Sequence, residues 1–193
     1  MVFIHDTRMA LNATVDLVNT LPRRGPDGDD AADSLATLDD FANYLVDHPY
    51  TGVLSRDLAE FEAVRAIRGR LRELWRVDRV RAVPLVNEML RDGEALPQLV
   101  IHDGYDWHIH AADHQPLATR ILVEAAMAFV DVIRADEYDR VRSCDADDCD
   151  AVFIDYSRNR SKRYCDTGNC GNRMNVHAYR RRKGEDGDRG LGP

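Results

Sequence analysis

The chain has 193 residues, enough for one domain of ordinary size and a small appended one, and its 44% apolar share can fill a buried core. No apolar run is long enough to span a membrane. The start, Met-Val-Phe-Ile-His-Asp-Thr-Arg, lacks the basic-then-apolar order of a secretion signal, so the expected compartment is the cytoplasm.

Net charge is −8 but unevenly spread. Tyr156 to Lys183 holds nine Arg or Lys and one acid, Asp166, a local +8. Gly184–Pro193 carries −2, which leaves −14 on residues 1–155. An acidic body joined to a compact basic end points to a polyanion partner for that end alone. The chain's cations are 24 arginines and two lysines, which explains the choice of Arg but not its clustering.

Within residues 1–22, Thr14–Leu21 reads as a strand or as a short helix, and periodicity does not separate the two. Pro22 to Asp33 is a loop. Thr37-Leu38-Asp39-Asp40 has the spacing of a capping box. The helix after it should bury Leu38, Phe41, Ala42 and Leu45 and stop at His48-Pro49. Ser55 is the candidate cap of the next helix, whose Phe61, Val64, Ile67, Leu71, Leu74 and Trp75 share one face. Arg65, Arg72 and Arg76 fall mostly on the opposite face, expected to be solvated.

A short helix is expected over Pro84–Arg91, ended by Gly93. The period then changes to two. Gln98–His102 and Tyr105–His110 flank Asp103-Gly104, a hairpin on a two-residue turn. That register puts Val100, His102, Tyr105, Trp107 and Ile109 on one face, with Leu99, Ile101, Asp106, His108 and His110 on the other. It separates His102 from the other two histidines and argues against a histidine metal site. Leu117–Ala135, with Pro116 in its first turn, is apolar except for a narrow stripe of Arg120, Glu124, Asp131 and Arg134. It should be the central helix of the N-terminal domain. The expected class is mainly α with a small β-hairpin (α+β) over residues 1–140, then a treble-clef-like zinc finger over 141–183 and a disordered tail over 184–193.

All four cysteines lie between 144 and 170, in two pairs, Cys144/Cys149 and Cys165/Cys170, with four residues inside each pair and fifteen between them. Such a set can hold one Zn²⁺, form two disulfides or remain as free thiols. A reducing compartment and the paired spacing favour zinc, closed by four protein ligands and therefore structural. Ala151–Asp155 has strand character, Ser157–Ser161 turn character, and Arg163–Cys165 can return as a second strand. A helix over Asn172–Arg182 follows, and Gly168 and Gly171 allow tight bends in the second loop.

Phe153-Ile-Asp155-Tyr-Ser157-Arg158-Asn159-Arg160-Ser161-Lys-Arg163-Tyr164-Cys165 and Cys170-Gly171-Asn172-Arg173 resemble the bacterial CGNR zinc-finger family over roughly residues 142–182. Tyr164 stands where members often carry Trp. Asp16, Val18, Asn19 and Thr20 resemble the early signature of the ABATE domain that usually precedes this finger. The family is described as stress-induced transcription regulators. The resemblance therefore implies a finger that binds double-stranded DNA and an N-terminal domain that senses or regulates.

On that reading Arg158, Arg160, Lys162, Arg163, Arg173, Arg180 and Arg181 supply a cationic plate for phosphates. Asn172, Asn175 and His177 are the side chains suited to base edges. Asn172 and Arg173 serve equally well as braces of the zinc loop. Asp16 and Asn19 are candidates to line a small-molecule effector pocket, and a homodimer would suit a palindromic site. The competing reading is a protein-interaction adaptor whose basic finger docks on an acidic partner. Catalysis finds no footing: the chain has no phosphate-binding loop, no Gly-x-Ser-x-Gly elbow and no His-Glu-x-x-His pair.

Overall fold

A computed structural model describes residues 3–24, 30–101, 108–110 and 114–188. Its axis is helix α5, Leu117–Arg134. Around it pack α1 (His5–Asn19), α3 (Leu58–Arg72) and α4 (Arg79–Asp92). The expected central helix is therefore the central helix, with Leu117, Ile121, Phe129 and Val132 buried among Leu11, Leu17, Val64, Leu71 and Met89. Its polar stripe is not wholly solvated. Arg120 is buried and donates both terminal nitrogens to the carbonyls of Thr51 and Val53.

The ambiguous stretch Thr14–Leu21 is mostly helix, the second half of α1. Burial of Leu17 and Val18 against α5 decides it, because local propensity is nearly balanced. The loop from Pro22 to Asp33 carries a short antiparallel pair, β1 (Arg23–Arg24) with β2 (Asp30–Ala31). The capping box forms: Asp40 N donates to Thr37 Oγ1 at 3.2 Å, and Thr37 N donates to the Asp40 carboxylate at 2.9 Å. Helix α2 then runs Leu38–Asp47. Its inward stripe is rotated by about one residue from expectation. Phe41 and Leu45 are buried, Leu38 and Ala42 are exposed, and Tyr44 takes the inner place.

The cap of α3 is Asp57 rather than Ser55; its carboxylate accepts from Glu60 N at 2.8 Å. An ionised acceptor at a helix N-terminus also meets the dipole favourably. Helix α4 begins five residues earlier than Pro84 and is capped by Asp78. Pro84 is tolerated inside it because Pro84 and Val80 both face solvent, where the orphaned carbonyl can bond water.

The hairpin of β3 (Gln98–Val100) and β4 (His108–His110) is present, but its register is shifted by one residue. Leu99 faces Ile109 and Val100 faces His108, so a two-residue loop is excluded. The shift places Val100 with His108 and Leu99 with Ile109, against the expected faces. The Asp103-Gly104 turn, His102, Tyr105, Asp106 and Trp107 lie outside the described residues.

The arginine face of α3 is less solvated than expected, and one of its members was missed. Arg68 is 3% exposed and grips Asp33 with two bonds of 2.7 Å, while Thr20 Oγ1 accepts from the same guanidinium at 2.8 Å. Arg65 adds a third bond to Asp33 at 3.0 Å. These arginines, led by the bond from Arg68 and opposed by partial burial, hold the Asp33 carboxyl far below its usual range.

A carboxyl depressed in the folded state stabilises the fold above its unfolded pKa and loses that contribution as pH falls through the range down to the folded value. Asp33→Asn should therefore cost about 3 kcal/mol at pH 7 by leaving Arg68 buried without its partner. The gap to wild type should narrow by up to roughly 1.4 kcal/mol per pH unit below about pH 4. Urea unfolding at pH 7 and pH 3 measures both quantities.

Candidate metal centre

The site starts before its first cysteine. Strand β5 (Val141–Ser143) leads into the first loop, and β6 (Val152–Ile154) leaves it. The two pair antiparallel, Val141 with Ile154 and Ser143 with Val152. This corrects the expected hairpin: β6 pairs backward with β5, not forward with Arg163–Cys165. The forward segment is held instead by single bonds, Asp145 N to Arg163 O at 2.9 Å and Cys165 N to Cys144 Sγ at 3.4 Å. A pairing that closes on the first cysteine loop has less chain to order than one spanning the turn.

The second loop reverses at Asn169, whose φ of 49° is left-handed. Asn tolerates that region. Gly168 and Gly171, expected to supply the bend, do not adopt positive φ. A side chain at Gly171 would stand against Tyr164 at 3.5 Å, an ordinary contact. Helix α6 spans Cys170–Asp188, starting on the fourth cysteine and passing the expected end at Arg182.

The four sulfurs all lie within 4.8 Å of one another. Cys149 and Cys165 are 3.7 Å apart, Cys165 and Cys170 3.6 Å. A Zn–S bond of about 2.3 Å gives a tetrahedral edge of about 3.8 Å, so these separations fit one ion. They are far from the S–S bond of about 2.05 Å that a disulfide needs. All four side chains are buried, in a small apolar cluster with Ala146, Ala151 and Phe153 and against Tyr164 and Met174. Burial pushes the Cys144 and Cys149 thiols up. Burial also opposes ionisation of Cys170, but the Arg173 guanidinium and the neighbouring thiols bring it below its ordinary value. Four thiolates crowded in such a setting require a cation at their centre. The cluster is a structural zinc site with no ligand position left for substrate.

Arg173 is the brace of this site. It donates to Cys170 Sγ at 3.2 Å, to Gly168 O at 3.2 Å and through both terminal nitrogens to Asp148. Asp155, which the motif contained but residue reasoning gave no role, is fully buried. Its carboxylate accepts from Ser157 N at 2.7 Å and Lys162 N at 2.9 Å and so folds the 155–162 turn. Burial alone would push that carboxyl up; these bonds and the charge of Arg142 hold it below its usual value.

The remaining candidates separate into engaged and open groups. Arg160 lies 3.0 Å from Glu137, Arg163 lies 2.9 Å from Asp145, and Lys162 pairs with Asp166. Arg158, Asn172, Asn175, His177 and Arg180 are exposed. The side chain of Arg181 lies outside the described residues. Asp16 and Asn19 make separate contacts. The Asp16 carboxylate is exposed and stands 3.0 Å from His48 Nε2. Asn19 is buried and makes two 2.9 Å bonds to Val152, donating to its carbonyl and accepting from its N–H. Its amide thus adds a strand-like partner to the free edge of β6. Trp75 Nε1 donates to Phe153 O at 3.2 Å, and beyond the strand Tyr156 OH donates to Asn12 at 2.9 Å, so β6 and the residues after it are bound to the helical domain.

Two outcomes follow from this geometry. Arg173→Lys keeps the charge but loses the planar fork, and should lower zinc affinity by roughly tenfold or more in competition with a chromophoric chelator. Asn19→Leu leaves both backbone groups of Val152 buried without partners. It should cost about 2–4 kcal/mol in denaturant unfolding and speed hydrogen exchange at the Val152 amide.

Comparison with known families agrees with this division of the chain. A CGNR zinc-finger profile matches residues 140–183. The ABATE profile, described as "Putative stress-induced transcription regulator", matches residues 11–136. No curated protein matches the chain. With most of its length covered by the ABATE profile and its zinc site inside the second match, the chain belongs to the ABATE family and carries a CGNR zinc finger.

Proposed function

We propose that this protein is a transcription regulator that contacts duplex DNA through α6 and the 157–163 turn. One observation carries the reading. The helix that begins on zinc ligand Cys170 presents Asn172, Asn175 and Arg180 to solvent, with Arg158 exposed on the neighbouring turn. Amide side chains on an exposed helix can bond base edges, and the guanidinium groups can take phosphates. The family description supports the regulatory role, and the helical domain then acts on the finger through the contacts of β6.

The ion pairs refine which cations matter. Arg160 and Arg163 already face carboxylates, so phosphate binding by either must displace an acid. Arg158 and Arg180 carry no such ion pair among the described residues. Zinc-loaded full-length chain should be retained on a duplex DNA pool, with affinity falling linearly in log–log form as salt rises. Arg158→Gln and Arg180→Gln should each reduce the salt slope by about one, and Arg160→Gln by less. No retention on any duplex at low salt would overturn the reading.

A further inference from the structure

The finger meets the helical domain along a cleft, and α3 supplies one wall. Two lobes open there, of about 400 and 550 Å³, and both are bordered by Arg72, Arg76 and Asp150. Volumes of this order suit small molecules. Most charges around the larger lobe are matched. Asp150 is gripped by Arg24 at 2.7 Å, Arg76 reaches Glu73 at 2.7 Å, and Arg70 reaches Asp92 at 2.6 Å. Arg72 is the exception. It donates to the backbone carbonyl of Asp150 at 3.0 Å and has no ion pair among the described residues. Burial, then the like charges of Arg76 and Arg23, make its charged form less favourable than usual, and the charge of Asp150 only partly offsets them.

A second observation concerns space. Gly69 lies within α3 and borders the same lobe. Glycine inside a helix is destabilising relative to alanine. Packing does not demand it here, since a Cβ at Gly69 would meet nothing within 4 Å. Its effect is to leave bare backbone and open volume one turn from Arg72. Arg72 ends α3 and Arg76 follows a 3-10 turn over Glu73–Trp75; both border this lobe, as does Glu73, which Arg76 must release to join Arg72 on one tetrahedral oxyanion.

We propose that this larger lobe is a binding site for a phosphate-class oxyanion, held by Arg72 and Arg76 over the open backbone at Gly69. Two guanidinium groups match the multiple oxygens and near-divalent charge of a phosphomonoester better than a single carboxylate. The site lies beyond the proposed DNA surface. An occupant would lie against Asp150 in the first cysteine loop, whose Asp148 is held by Arg173 beside zinc ligand Cys170.

The test uses zinc-loaded full-length chain without DNA, titrated with inorganic phosphate at constant ionic strength and followed by thermal shift and calorimetry. Saturable binding and a rise in Tm are expected. Gly69→Glu places an acid in the lobe on a residue that suits a helix and should weaken phosphate binding at least tenfold, as should Arg72→Gln. Arg158→Gln, on the proposed DNA surface, should leave it unchanged. Absence of saturable binding in wild type, retention of full affinity in folded Gly69→Glu, or equal loss in Arg158→Gln would each overturn the proposal. If Arg72→Gln fails to fold, Gly69→Glu decides alone. Since no DNA is present, the result stands apart from the outcome of the duplex assay.

Discussion

Four sulfur atoms converge from two loops, and most of the C-terminal segment takes its shape from that convergence. The segment around them has little else to fold on: its own apolar cluster is a handful of side chains around the cysteines. Joining the loops through one ion closes a long stretch of chain and removes much of the entropy that a few alanines and one phenylalanine cannot offset. The helix start at Cys170, the reversal at Asn169 and the bracing by Arg173 all depend on it. So does the orientation of the exposed amides and guanidinium groups that follow.

The second constraint is the seam with the helical domain. Val152 and Ile154 belong to the main core, while Phe153, the residue between them, packs with the cysteines. Alternation along one short strand therefore serves two hydrophobic clusters at once. Asn19, Trp75 and Arg72 each bond the backbone of residues 150–153, so the contact does not depend on the side chains of that strand. Acidic side chains of the same seam also restrain Arg160. The asymmetry between acidic body and basic end is thus partly neutralised inside the molecule.

The sequence makes some of this legible and hides the rest for physical reasons. The cysteine spacing reveals the metal site because ligand chemistry is local and restrictive. The capping box at Thr37 and the apolar run of α5 are local too, and both hold. Arg68 is missed because an amphipathic pattern assigns arginine to water, and nothing nearby in sequence announces Asp33 as its partner. Asn19 belongs to a recognisable signature, yet its partner is 133 residues away in sequence, so its structural duty cannot be read from spacing. The hairpin register fails for a different cause. Asp-Gly suggests a tight turn, while the pairing of Leu99 with Ile109 fixes a different loop length.

The interleaving of the two clusters bears on how such chains can recombine. The two family profiles abut between residues 136 and 140, a junction that looks like a natural crossover point. Tyr138, however, is buried there and donates to Leu74 O at 2.5 Å. A finger grafted from a paralogue at that boundary would bring a foreign strand to the asparagine and tryptophan that receive it. Exchange of fingers between relatives therefore requires the acceptor surface on α1 and on the turn that follows α3 to travel with them.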